Sequence, residues 1–104
     1  MKVTLKSSHL CLDAALVNQL LEGNPYVFLS YKEAEKQLLV SPVTNSWFPK
    51  LHETHQQFLK TKNKEGDSAT ALHALILDHD LDATDRELEF TVNHQSRFIK
   101  IDLT

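Results

Sequence analysis

The chain has 104 residues, 41% hydrophobic and 24% charged, which is room for one domain with an ordinary buried core. Its formal net charge is -3, and Arg86 and Arg97 are its arginines, a poor electrostatic footprint for a nucleic-acid or anionic-membrane binder. One cysteine, Cys11, leaves no internal disulfide and fits a reducing compartment.

The opening Met1 to His9 lacks the apolar run of a signal peptide, and no stretch approaches the ~20 apolar residues of a membrane helix. A cytoplasmic protein with no membrane partner is expected. Val3 and Leu5 alternate with polar neighbours, as do Leu10 and Leu12, and both stretches read as strands. Cys11 sits inside the second and reads as a small buried hydrophobe. Asp13 is a helix N-cap, because its carboxylate can accept the orphan amides of a first turn. Leu16, Val17, Leu20 and Leu21 form the apolar stripe of that helix, and Gly23-Asn24-Pro25 ends it.

Tyr26 to Tyr31 and Gln37 to Ser41 read as two strands around the charged turn Lys32 to Lys36. Both are apolar at consecutive positions, so this hairpin is expected to be covered on both faces. Residues 43–56 break every period, with one helical turn expected from Lys50 to His55. A strand follows over 57–61. Asn63 to Asp67 is a turn in which Gly66 can take positive φ. Ser68 or Asp67 caps a second helix with the stripe Ala69, Leu72, Leu75 and Ile76. An acidic connector, Asp78 to Asp85, leads into a hairpin over 87–103, with Asn93 to Ser96 at its tip.

The chain thus repeats one order: strand, helix, hairpin. The first copy runs through 8–12, 13–21 and 26–42, and the second through 57–60, 68–76 and 87–103. A unit of about 45 residues is marginal alone, so the halves are expected to share one core. The expected fold is α+β in a single domain, 1–104. Its βαββ-like halves, about 1–42 and 57–104, build a mostly antiparallel small sheet or barrel with two short helices.

Chemistry-bearing patterns are sparse. His52-Glu53-Thr54-His55 brings two imidazoles to i and i+3, not the i and i+4 of a zinc-protease helix, so a third ligand would have to come from elsewhere. Asp78 to Glu89 has carboxylates at positions 1, 3, 5 and 12 of a calcium loop, but Ala83 replaces the glycine at its sharp turn. The plainer reading is a solvated acidic turn. Glycines at 23 and 66 alone exclude a Gly-rich phosphate loop, and no nucleophile elbow is present. Lys60 to Lys64 reads as a solvated basic turn. Trp47-Phe48-Pro49 is the cluster that invites a binding role, because Trp dominates interface hot spots, and its plainer role is a lid on the core. No cofactor is expected.

The doubled βαββ order resembles the MraZ protein family, whose single-copy relatives are the AbrB/SpoVT swapped-hairpin regulators. The family's strand-to-helix junction reads Gly-Arg-apolar-x-apolar-Pro. Here Ser8-His9-Leu10-Cys11-Leu12-Asp13 keeps the two apolar positions and lacks the Gly, Arg and Pro. The resemblance implies the topology and dimerisation. It also implies DNA binding through basic residues at that junction, where His9 stands in the arginine's place. The expected function is a non-enzymatic interaction or regulatory module, homodimeric, using its strand edges and the loop of Trp47, Phe48 and Pro49 on a protein partner. One alternative is a swapped-hairpin DNA-binding regulator. Another is a metal-dependent enzyme using His52 and His55.

Overall fold

The computed structural model describes residues 1–22 and 24–103. Val3–Lys6 (β1) and His9–Leu12 (β2) form a hairpin. Helix α1 follows over Ala14–Gln19, then a second hairpin of Tyr26–Lys32 (β3) and Gln37–Pro42 (β4). A short helix, Phe48–Leu51 (α2), precedes His55–Phe58 (β5), Lys60–Thr61 (β6) and Ser68–Ala71 (β7). Helix α3, His73–His79, leads to Arg86–Leu88 (β8), Phe90–Asn93 (β9) and Phe98–Asp102 (β10).

The strands form two antiparallel five-stranded sheets, ordered β6-β7-β2-β1-β8 and β5-β3-β4-β10-β9. Alternation along each strand separates an inner from an outer face. Val3, Leu5, Leu10 and Leu12 of the first sheet meet Val27, Leu29, Leu38, Val40, Ile99 and Ile101 of the second in one apolar cluster. Leu16 and Val17 of α1 and Ile76 of α3 complete it. Each such burial contributes about 1.5–3 kcal/mol before chain entropy is subtracted. Among the described residues no helix is long and apolar enough to cross a membrane.

Three local expectations need correction. Residues 57–61 are not one strand. The chain bends at Leu59, whose side chain turns into the core and whose N–H donates to the Pro25 carbonyl at 2.6 Å. The segment therefore leaves the second sheet as β5 and enters the first as β6; Glu89 marks a similar passage between β8 and β9. The helices number three among the described residues, because the loop between the halves contains α2, two residues earlier than the predicted turn. The third correction concerns Ser68 to Ala71. This is a strand, not a first helical turn, and it pairs with β2 through His9↔Ala71 and Cys11↔Ala69. The helix starts at His73, so Ala69 is no part of its stripe, and neither Ser68 nor Asp67 is its cap.

Asp67 caps the other helix instead. Its carboxylate accepts the Ala14 N–H at 2.7 Å, while Asp13 accepts the Leu16 N–H at 3.1 Å. Two of the four orphan amides of α1 are thus satisfied, one of them from the far half of the chain. The turn that aims Asp67 is held by Asn63, whose Oδ1 accepts the Gly66 and Asp67 N–H groups at 3.1 Å each. Gly66 has φ +100°, as its turn requires. The glycine expected to cap α1, Gly23, lies outside the described residues; Glu22 beside it has φ 58°.

The β1–β2 turn also departs from common chemistry. Ser7 and Ser8 both lie in the left-handed region, with φ 50° and 61°, which is the geometry of a type I′ turn built without Asn-Gly. Replacing Ser7-Ser8 by Asn-Gly should therefore stabilise the fold by about 1 kcal/mol, read as a higher urea midpoint at unchanged m-value. An unchanged or lower midpoint would contradict the strain assigned to this turn.

Candidate functional site

The outer faces of the two sheets have opposite fates. That of the second sheet is closed over β3, β4 and the start of β10 by the segment between the halves. Phe48 of α2 is fully buried and stacks on Phe28 of β3 at 6.5 Å between centroids. Trp47 meets Phe48 and Phe98 edge-on, at 5.7 and 6.4 Å. Asn45 anchors this lid: its amide donates to Ser41 Oγ and to the carbonyls of Ser96 and Arg97 at 2.8–3.1 Å. The β3–β4 hairpin is accordingly covered on both faces, as its run of consecutive apolar residues predicts. Of the proposed partner anchors, Trp47 is half-buried, Phe48 is sealed and Pro49 is exposed.

His52 belongs to the same lid, its ring 4.8 Å from Phe48. Its Nδ1 is buried with no hydrogen-bond partner among the described residues. Burial, and second the charge of Lys32, hold its pKa below the usual 6.5. His55 starts β5 and pairs with Gln57 Oε1 at 3.3 Å. Among the described residues no three His, Cys, Asp or Glu side chains gather as metal ligands would. The acidic connector is organised by the chain's own cation. Arg86 donates to the carbonyls of Asp82, Thr84 and Leu103 at 2.9–3.0 Å. Asp82 accepts from the Thr84 N–H and hydroxyl, which lowers its pKa, and Asp85 accepts the Ser7 N–H at 2.9 Å.

The outer face of the first sheet is open. Alternation places Thr4, Lys6, His9, Cys11, Lys60, Ala69 and Ala71 on it, with Glu87 of β8 beside Thr4, opposite the buried Leu5, Leu10 and Leu12. Cys11 is thus half-buried on this face and not the buried hydrophobe expected. A groove of about 700 Å³ lies along this face. Its floor includes Ala69 and Ala71, residues too small to hide the backbone. Its walls are Lys6, Lys60, Lys62, His9, Gln57 and Phe58, and among the described residues no carboxylate and no helix lines it. Among the described residues none of the three lysines is within ion-pair distance of a carboxylate. Phe58 is 53% exposed, and Tyr26, 42% exposed, meets it edge-on at 5.7 Å.

The walls are built by the corner at Leu59. Gln57 precedes it on β5, and its amide donates to Thr70 Oγ1 at 2.6 Å and to the Ala71 carbonyl. Thr70 donates in turn to the Phe58 carbonyl at 2.9 Å. These bonds tie the second sheet to the first where the groove ends. The His9 Nδ1 donates to the Ser7 carbonyl at 2.9 Å, which orients the ring at the groove.

Sequence reading treats the two lysines of this wall as part of a solvated turn and misses the groove. Period two puts Lys6 on one face and His9 and Cys11 on one face. That Lys60 and Lys62 join them depends on β7 pairing with β2, a contact between distant segments. No family model matches the chain, and neither a curated protein nor a solved structure matches it.

The lid predicts a pH effect on stability. The folded pKa of His52 lies below its unfolded value, so between the two the unfolded chain binds the proton and the folded one does not. Stability contributed by neutral His52 is present above about pH 6.5 and declines as pH falls below it. His52→Phe should flatten this part of the stability profile relative to wild type in urea melts from about pH 5 to 7.5. An identical slope in both proteins would contradict the burial of an uncharged ring.

Proposed function

We propose that the protein is a non-enzymatic interaction module that takes an anionic partner on the open face of its first sheet. The observation that carries this is the groove lining: Lys6, Lys60, Lys62 and His9 with no carboxylate among them. The overall charge of -3 does not oppose it. At physiological salt, charges more than about 8 Å apart are largely screened, so a ligand in the groove feels the local sign.

In this reading the scaffold is a duplicated βαββ unit closed into a barrel, of the swapped-hairpin type. Several observations support it. Ser8 to Pro42 and Ser68 to Leu103 run in step. Leu12 corresponds to Leu72 and Leu16 to Ile76. Val27, Leu29 and Tyr31 correspond to Leu88, Phe90 and Val92, and Leu38 and Val40 to Ile99 and Ile101. All of these pack in or against the core. Both hairpin tips end on a left-handed residue, Lys36 and Arg97. Equivalent strands pair across the halves, β2 with β7 and β4 with β10, and the corners at Leu59 and Glu89 link the two sheets into a ring.

Duplication also bears on self-association. The contacts that two single-copy chains would make with each other are here made within one chain, which supports a monomer over the expected homodimer. Light scattering should give a mass near 11.9 kDa. A mass of twice that would restore the homodimer.

The groove itself is tested with a polyanion. Wild-type protein should be retained on heparin at low ionic strength and elute as salt rises. Lys60→Glu with Lys62→Glu should abolish retention with the circular dichroism spectrum unchanged. A wild-type protein that flows through, or a variant retained equally well, would sink the proposal.

A further inference from the structure

We infer that the anionic partner is a single-stranded nucleic acid, whose phosphates lie along Lys6, Lys60 and Lys62 and one of whose bases stacks on Phe58. The inference deepens the groove reading and rests on it.

The size of the groove bounds the ligand it takes. Its volume, about 700 Å³, lies within the range of clefts for small ligands, about 300–1,000 Å³. That is room for a few residues of a single chain. β2 is paired on both sides, by β7 and β1, whereas β7 is paired by β2 and, at Ser68 and Ala69, by the two-residue β6. Beyond β6 the Ala71 carbonyl accepts the Gln57 amide, and β6 itself, two residues long, is too short an edge to hold an acidic peptide as a further strand. The cations are lysines, point charges that suit phosphates met at varied angles. No arginine is present to clamp a carboxylate with two parallel bonds.

The aromatic rim decides between the remaining polyanions. A polyglutamate-like peptide brings no flat face to an exposed phenyl ring beside the cations. A nucleobase does, because every base has a π-face and stacking tolerates any sequence. Tyr26 meets the Phe58 ring at an interplanar angle of 68°, bracing it from one side. Gln57, its amide held by Thr70 and Ala71, fixes the strand that carries this ring. Lysines along a track with an aromatic at one end form the pattern of a single-strand platform.

The test is fluorescence anisotropy of a labelled oligothymidylate of about 15 nucleotides, titrated with the full chain from about 0.05 to 0.3 M salt. Each phosphate contact contributes a slope of about -0.7 in log affinity against log salt, so three lysines predict a slope near about -2. Lys60→Ala with Lys62→Ala should weaken binding and make the slope shallower by about 1.4. Phe58→Ala should weaken binding by about 5- to 150-fold and leave the slope unchanged. Lys50→Ala, on the lid, should change nothing.

A duplex of the same length and polyglutamate serve as competitors. Both should compete weakly. Competition by the duplex at least equal to that of the single strand would overturn the inference, as would an unchanged affinity in Phe58→Ala. Polyglutamate binding in the groove without oligothymidylate binding would overturn it and leave the groove reading standing. Loss of salt-sensitive binding to every polyanion would overturn both.

Discussion

Everything in this protein depends on how its two halves pair. β2 lies against β7 and β4 against β10, so each sheet contains strands from both ends of the sequence. The pairing brings Ile99 opposite Val40 and Ile101 opposite Leu38, which places four branched side chains on the inner face at once. It also sets which residues face outward. A slip by one residue at β2–β7 would turn Leu10 and Leu12 into solvent and bury Cys11 and His9. The groove and the core are therefore two sides of one register.

A small number of polar contacts hold that register where apolar packing is indifferent to it. Asp67 reaches across to the first amide of α1, and Gln57 reaches across to Thr70 and Ala71. Each joins a segment of the second half to an element laid down elsewhere. Leu59 and Glu89, the points where the chain leaves one sheet for the other, do the same work in the backbone. The groove stands next to the crossing at Leu59, so Lys60 and Lys62 are placed by that corner.

Much of the local structure is legible in the sequence, because it depends on neighbours. Asp13 as a cap, Gly66 at positive φ, and the alternation of Val3 and Leu5 each follow from a few adjacent residues. The pairing of apolar runs in β3 and β4 predicts coverage on both faces, which α2 and Trp47 supply. What the sequence hides is non-local. Ser68 to Ala71 has the composition of a first helical turn and becomes a strand because β2 offers it a full set of backbone partners. Asp67 is a good cap in any reading, and only the fold tells which helix it serves. The candidate site is hidden for the same reason: Lys6 and Lys60 are far apart in the chain and meet only through the sheet. The loop of Trp47 attracts attention as a cluster in sequence, yet its aromatic rings turn onto Phe28 and Phe98.

Two surfaces thus compete for the role of binding face, the aromatic lid and the basic groove. Backbone amide chemical-shift mapping with a single-stranded oligonucleotide separates them directly. The account predicts shifts concentrated at Lys6, His9, Phe58, Lys60, Ala69 and Ala71, with Trp47, Lys50 and Leu51 unmoved. Shifts concentrated on the lid, or none at low salt, would contradict it.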